Sequence, residues 1–393
     1  MKISKNNTFM RILYFSSPPF ADCDFPLVKQ FQQMGHEVFY FIDLPYFYLR
    51  STLIDIKEQI KNNGIFNASR YKEFDEYKNY LSLNNVYVIN RTHKSVLYPK
   101  NITLYLKFAS MVKQINPDII NIVGGIDVLS SVLLRFRKKL ILTVHDPFPH
   151  TGEQSFRREF FRKLSMRTIP KFILLNDSQK DSFIKAYKLR SNQVHISRLG
   201  VYDCIRNFID EDGCEWESSK NILFFGRISP YKGVEYLLKA MKAVHNEIPD
   251  ATLTIAGGGK MYFDISPYQN LSYVEIINHY IGMADLAKLI KHAAIVVCPY
   301  TDATQSGVVM TAYSLCKPVI ATNVGGLVEM VDNGKSGLLI PPKNIKCLAD
   351  AIIYLLNHPR LIKDIQKFIS TKYFNGNSSW KNIAEKYISI YES

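Results

Sequence analysis

The sequence predicts an α/β protein of two domains, each an open, doubly wound sheet. Three observations carry this expectation. The chain has 393 residues, too many for one ordinary domain. Short apolar runs alternate with segments of helical period in both halves, the pattern of βαβ units in a parallel sheet. The two halves also differ sharply in charge, as two separate surfaces would. Residues 1–200 hold 30 Lys/Arg against 16 Asp/Glu, whereas residues 201–393 hold 19 of each, so the whole net charge of +14 lies in the first half.

In chain order, Arg11–Phe15 reads as the opening strand, closed by Ser16-Ser17-Pro18-Pro19. A helix over Leu27–Met34, stopped by Gly35, leads to a strand over Val38–Ile42. Residues 50–100 are polar and rich in Tyr and Asn, with no periodicity that orders them. Leu104–Ile115 is a helix turned by Asn116-Pro117-Asp118. Strands follow at Ile119–Val123, Leu140–Val144, Phe172–Leu175 and Val194–Ile196. Ile205–Ser219, acidic and polar, reads as a linker.

A second sheet starts at Asn221–Phe225 and continues through a helix at Val234–Asn246 and a strand at Ala251–Ile255. Val274–Ile277 and Tyr280-Ile281 read as extended, then Ala284–Ala293 as a helix. The stretch Val297 to Gly326, VCPYTDATQSGVVMTAYSLCKPVIATNVGG, is the clearest βαβ unit. Its first strand is Ile295–Cys298, its helix Val308–Leu315 and its second strand Pro318–Thr322. Val328–Val331 is a short helix, Gly337–Pro342 an edge strand or loop, and helices fill 344–357, 359–372 and 379–391.

Four places carry candidate chemistry. Thr304 or Ser306 is a good N-cap ahead of Gly307, so unpaired N–H groups should collect where the strand ends, a place that attracts phosphate. Arg227 and Lys232 flank a proline turn after Asn221–Phe225, where two cations can clamp a diphosphate. Gly257-Gly258-Gly259 permits close backbone approach but is not a full dinucleotide signature. His145-Asp146, with His150 and Glu153 behind, ends a strand at the edge where open α/β sheets bind ligands. Each also has a plain reading: a capped helix, solvated loop cations, a structural histidine.

Arg157, Arg158, Arg162, Lys163 and Arg167 alternate with Phe156, Phe160, Phe161 and Leu164 at helical spacing. This is either a core-facing helix with a charged back or a surface for anionic headgroups or a phosphate-bearing acceptor. No zinc-finger, RNP-type or homeodomain pattern supports nucleic-acid binding. The six cysteines form no C-x-x-C pair, and Cys298 and Cys316 read as small buried hydrophobes. Asp22/Asp24 and Asp210/Asp212 follow no strand closely and read as chance, so no metal or cofactor is expected. Neither a secretory leader nor a spanning helix is visible, which places the chain in the cytoplasm, with peripheral contact to the inner face of the cell membrane.

The second half resembles the retaining glycosyltransferases of family 4, which have the GT-B fold. The resemblance rests on FFGRISPYKGVEYLLKAM, LTIAGGGK, YIGMADLAKLIKHAAIVVCPY, SGVVMTAYSLCKPVIATNVGGLVEMV and NGKSGLLIPP, in that family's order over about 220–345. RILYF, MGHEVFYF, TVHDPFPHTGE and ISRLGV match more loosely in the first half, and SSWKNIAEKYISIYES is similar to a last helix that crosses back. The resemblance implies two Rossmann-like domains, 1–205 with 377–393 for the acceptor and 206–376 for a nucleotide-diphospho-sugar, facing a cleft. It implies Arg227 and Lys232 on the diphosphate, His145 beside the transferred sugar, and donor contacts from Gly226, Gly258, Met283, Asp302, Thr304, Gln305, Ser306, Gly307 and Thr311. Asp146, His150, Arg157 and Arg158 would face a saccharide or lipid-linked acceptor.

One departure stands out. The family carries two glutamates eight positions apart in this loop and helix, and here those positions are Ala303 and Thr311. Asp302 is the nearest substitute for the first, and Thr311 keeps at most part of the second's hydrogen bonding. Two alternatives stand beside a hexosyl transfer in surface-polysaccharide synthesis: an epimerase or hydrolase acting on a nucleotide-sugar, and a non-catalytic glycosyltransferase-like subunit, for which the missing glutamates are the best argument. The sequence does not define the oligomeric state.

Overall fold

The computed structural model describes residues 9–46, 53, 54, 56, 60–95, 97–148, 166–209, 219–303 and 305–393. The chain divides into two compact units, Met1–Leu199 with Trp380–Ser393, and Gly200–Ser379.

In the first unit the described strands are β1 (Arg11–Ser16), β2 (Glu37–Asp43), β3 (Gly64–Asn67), β4 (Val86–Asn90), β5 (Ile119–Val123), β6 (Leu140–Val144), β7 (Lys171–Leu174) and β8 (Val194–Ile196). They form one sheet in the order β3-β4-β2-β1-β5-β6-β7-β8. Only the edge strand β3 runs antiparallel, against β4; it arises from the Tyr- and Asn-rich stretch that periodicity left unordered. The central strands are buried along their length, as β6 shows with five consecutive buried residues, LILTV. Strands covered by helices on both faces read as continuous apolar runs rather than alternating ones.

The first helix begins at Ala21, six residues before the periodicity suggests, and runs to Gln33 with Pro26 inside it. Prolines at 18, 19 and 26 mark a break by local rules, since Pro26 cannot donate to the turn before it. Burial overrides them: every residue from Ala21 to Val28 is buried. The DxD string Asp22/Asp24 lies in that buried turn. Asp24 accepts from Tyr14 Oη at 2.9 Å and Tyr40 Oη at 3.2 Å.

The last helix, Trp380–Glu392, belongs to the first unit. Phe31 lies against Tyr387 and Tyr391, with ring centroids 6.3 and 5.8 Å apart. Lys171 Nζ donates to Ile390 O at 3.0 Å, a cation placed at a helix C-terminus.

The second unit holds β9 (Asn221–Phe225), β10 (Thr252–Ala256), β11 (Val274–Ile277), β12 (Ile295–Cys298), β13 (Val319–Thr322) and β14 (Gly337–Ile340). Its sheet is parallel throughout, in the order β11-β10-β9-β12-β13-β14. Tyr280-Ile281, expected as extended, joins no strand. Residues Asp203–Phe208 form a 3-10 turn with Cys204 and Ile205 buried. Cys298 and Cys316 are both fully buried, as their apolar context suggested. Among the described residues no helix is long and apolar enough to cross a membrane.

Candidate functional site

In the second unit the chain proceeds from β9 outward through β10 and β11, then returns to the other side of β9 and proceeds through β12, β13 and β14. The loops after β9 and β12 therefore meet at the carboxyl edge where the strand order reverses, the place where open α/β sheets bind ligands, and Thr301 N donates to Tyr231 O across them at 2.7 Å. Lys232 closes the 3-10 turn Pro230–Lys232 in the first loop. Its Nζ donates to Tyr300 Oη in the second loop at 2.9 Å and lies 4.6 Å from that ring's centroid. Tyr300 is fixed in turn: it is 2% exposed, and Thr322 Oγ1 donates to its carbonyl at 2.6 Å.

Among the described residues no carboxylate pairs with Lys232. Burial depresses its ammonium from the usual 10.5 to about 8; the buried thiol of Cys298 opposes this, and the neighbouring cation Arg227 adds to it. Arg227 itself is exposed. A half-buried cation whose charged neighbour is another cation is held at a cost, and a dianionic group between the two would relieve it.

The glycine string after β10 serves the same edge differently from expectation. Gly257 has φ +147°, and a Cβ there would lie 2.2 Å from the carbonyl oxygen of Gly226. Gly226 N donates to Ala256 O at 2.9 Å and Ile228 N to Gly258 O at 3.0 Å, so the two loops run on as a pair beyond the strands. Close backbone packing fixes Gly257. A Cβ at Gly258, the position singled out for donor contact, would make only ordinary contacts at 3.5 Å.

Ser306 occupies the N-cap position of the helix Gly307–Ser314, but its side chain makes no capping bond. Its hydroxyl lies 3.5 Å from Tyr300 Oη, and its N–H points to Met330 Sδ at 3.3 Å. Thr311 Oγ1 donates to Gly307 O at 2.8 Å, so its proton is turned into the helix, and the residue is buried. Met283 is buried at the start of the helix Met283–His292. Asp302 is exposed, Gln305 half-buried, and Thr304 lies outside the described residues. Tyr300 was missed by sequence reasoning. The aromatic in VCPY, two residues past a buried strand, was the available signal.

The first unit has its own reversal between β1 and β5. His145 follows β6, half-buried, with the Phe20 ring 4.5 Å away at 35°. Cys23 Sγ lies 3.6 Å from His145 Nε2 and donates to Phe20 O at 3.0 Å. Burial depresses the imidazole from 6.5 to about 4, against the opposing charge of Asp146, so it is neutral at neutral pH. Nearby on the same edge, Arg91 makes a two-pronged ion pair with Asp43 at 2.7 and 3.2 Å, which the sequence did not reveal. Burial pushes Asp43 up to about 6 despite that partner. His150, Arg157 and Arg158, with most of the basic segment, lie outside the described residues. Among the described residues no group of three His, Cys, Asp or Glu side chains is placed to hold a metal ion.

Residues 219–358 match the family model described as Glycosyl transferases group 1. An uncharacterized glycosyltransferase of Methanocaldococcus jannaschii is 31% identical over 183 residues, 45% of this chain and 45% of that protein, so the chain spans under half of that relative. A glycosyltransferase structure from Rickettsia africae covers 98% of both chains with a TM-score of 0.64 at 19% identity. An Anabaena protein, HepE, crystallised with UDP and glucose, covers 97% of this chain and 98% of its own, with a TM-score of 0.65 at 16% identity. The match to Glycosyl transferases group 1 thus falls on the second unit of a chain whose two Rossmann-like sheets have the GT-B fold.

Proposed function

We propose that this protein is a retaining, metal-independent glycosyltransferase of family 4. It moves a hexose-type sugar from a nucleotide-diphospho-sugar to a saccharide or lipid-linked acceptor in the synthesis of a bacterial surface polysaccharide. The observation that carries the reading is the pair Arg227 and Lys232 at the strand-order reversal of the unit that matches Glycosyl transferases group 1, with no carboxylate on Lys232 among the described residues. The HepE structure, with UDP and glucose bound, supports a uridine nucleotide as the first donor to try.

In the reaction the bond between the anomeric carbon and the diphosphate oxygen breaks, and the diphosphate leaves with the electron pair. The acceptor hydroxyl forms the new bond on the same face and gives its proton to the departing phosphate. Negative charge grows on phosphate oxygens, and fixed cations that face it lower the barrier. Lys232 and Arg227 supply those charges, with N–H groups at the uncapped start of the helix Gly307–Ser314. His145, neutral, orients the sugar. The basic first half suits a phosphorylated or lipid-linked acceptor at an anionic membrane.

The test is a mass-spectrometric screen of UDP-, GDP- and ADP-hexoses with and without acceptor. Arg227→Ala and Lys232→Ala should each lower turnover about tenfold or more while the protein stays folded. Unchanged kinetics in both variants would remove the diphosphate assignment. Conversion of the donor without acceptor would mark an epimerase instead, and donor binding without turnover a non-catalytic subunit.

A further inference from the structure

We propose that Cys23 and Phe20 are positioning residues that hold His145 in one tautomer, with the proton on Nε2 and the lone pair on Nδ1. This rests on the role given to His145 above. The three residues come from the loop and helix after β1 and from the end of β6, and they meet on the carboxyl edge of the first unit's sheet.

A neutral imidazole carries one proton, and which nitrogen holds it follows from what the other meets. The Cys23 thiol is directed at Phe20 O, 3.0 Å away, so the sulfur turns lone pairs toward Nε2 at 3.6 Å. A sulfur acceptor there favours N–H on Nε2. Nδ1 is then an acceptor, suited to a sugar hydroxyl that donates.

Ring rotation is restrained by Phe20, whose other side is fixed by Gly124. That glycine has φ +89°, and a Cβ on it would lie 2.6 Å from Phe20 Cε2. Phe20 is thus held between a backbone that tolerates no side chain and the imidazole. Gly124 after β5 thus acquires a purpose that its sequence alone did not disclose.

The experiment joins a substrate-free readout to kinetics. Protein labelled with 15N-histidine should show His145 protonated at Nε2 in the wild type and as a mixture of tautomers in Cys23→Ala, while thermal unfolding confirms that the variant is folded. Cys23→Ala should lower kcat about three- to tenfold with donor KM within about twofold, and Cys23→Ser should recover much of the loss, because a hydroxyl can donate to Phe20 O and accept from Nε2. Gly124→Ala should displace Phe20 and produce the same mixture. An Nδ1-protonated wild type, or a tautomer unmoved by Cys23→Ala and Gly124→Ala, overturns the proposal. Because the NMR readout needs no substrate, a protein that turns over no donor would sink the transferase reading while leaving the tautomer assignment decided.

Discussion

Replacing Lys232 with methionine should make the second unit more stable and its site useless. In the folded protein the ammonium titrates near 8 rather than 10.5. A gap of that size is worth about 3 kcal/mol. Its sign follows from proton counts: between pH 8 and 10.5 the unfolded chain binds more protons than the folded one, so stability rises with pH across that window. Below pH 8 the full cost is present. Methionine fills much of the same volume without charge and removes that cost, but it forfeits the bond to Tyr300 Oη, worth about 1 kcal/mol, and the contact with the Tyr300 ring.

A net gain of about 1–2 kcal/mol remains, or roughly 2–8 °C in Tm for a unit of this size. Calorimetric unfolding at pH 7 measures it. Titration with UDP, GDP and ADP measures the other half, because a lost charge-assisted bond to phosphate weakens binding about tenfold or more. In the wild type the affinity for the nucleotide that binds should fall as pH passes 8, with proton uptake on binding at pH 8.5, since the ligand favours the charged lysine. A variant less stable than wild type, with nucleotide affinity intact, would refute the reasoning: it would make Lys232 a structural ammonium.

Three further outcomes follow from the same geometry. Asp24 is buried, and burial raises its carboxyl from 3.8 to about 7 although Ser16, Tyr14 and Tyr40 favour the ionised form. The wild type should therefore lose stability as pH rises from about 4 to about 7, by up to about 4 kcal/mol, and Asp24→Asn should flatten that slope in pH-dependent unfolding. Gly257→Ala should destabilise the second unit by about 2 kcal/mol or more, because the new methyl meets the Gly226 carbonyl; an unchanged melting curve would mean that the loop yields freely. Arg91→Met leaves Asp43 buried without its partner and should cost about 3 kcal/mol, whereas the pair Asp43→Leu with Arg91→Met should recover most of that loss in a double-mutant cycle.

The parallel sheets were legible because their strands are buried on both faces. Ile119–Val123, Leu140–Val144 and Ile295–Cys298 coincide with the apolar runs that announced them. The early start of the first helix was not legible, because local proline rules are outweighed by burial of Ala21–Val28, which depends on Tyr14, Tyr40 and the last helix, residues distant in sequence. The same limit applied to the site. Arg227 and Lys232 could be named from their loop, but the phenol that fixes Lys232 lies 68 residues away, and the Asp43–Arg91 pair spans 48. Hydrogen-bond partners at such separations leave no periodic trace. Of the three glycines read as room for a ligand, the loop needs Gly257 and Gly259 for packing against its neighbour, while Gly258 has space for a side chain.

Both units carry their candidate groups on the carboxyl edge of the sheet, yet with opposite chemistry. In the second unit that edge holds a depressed lysine and an exposed arginine, which gain from an anion. In the first it holds a neutral histidine against a thiol, and an arginine whose charge is already met by Asp43. A diphosphate placed on the first edge would displace an ion pair, whereas on the second it would relieve a cation held at a cost. A neutral polyol has the reverse preference, since it cannot compensate Lys232 but can donate to an imidazole lone pair. One fold used twice can thus favour an anion at one edge and a neutral hydroxyl group at the other through which side chains stand there, with no difference in sheet architecture required.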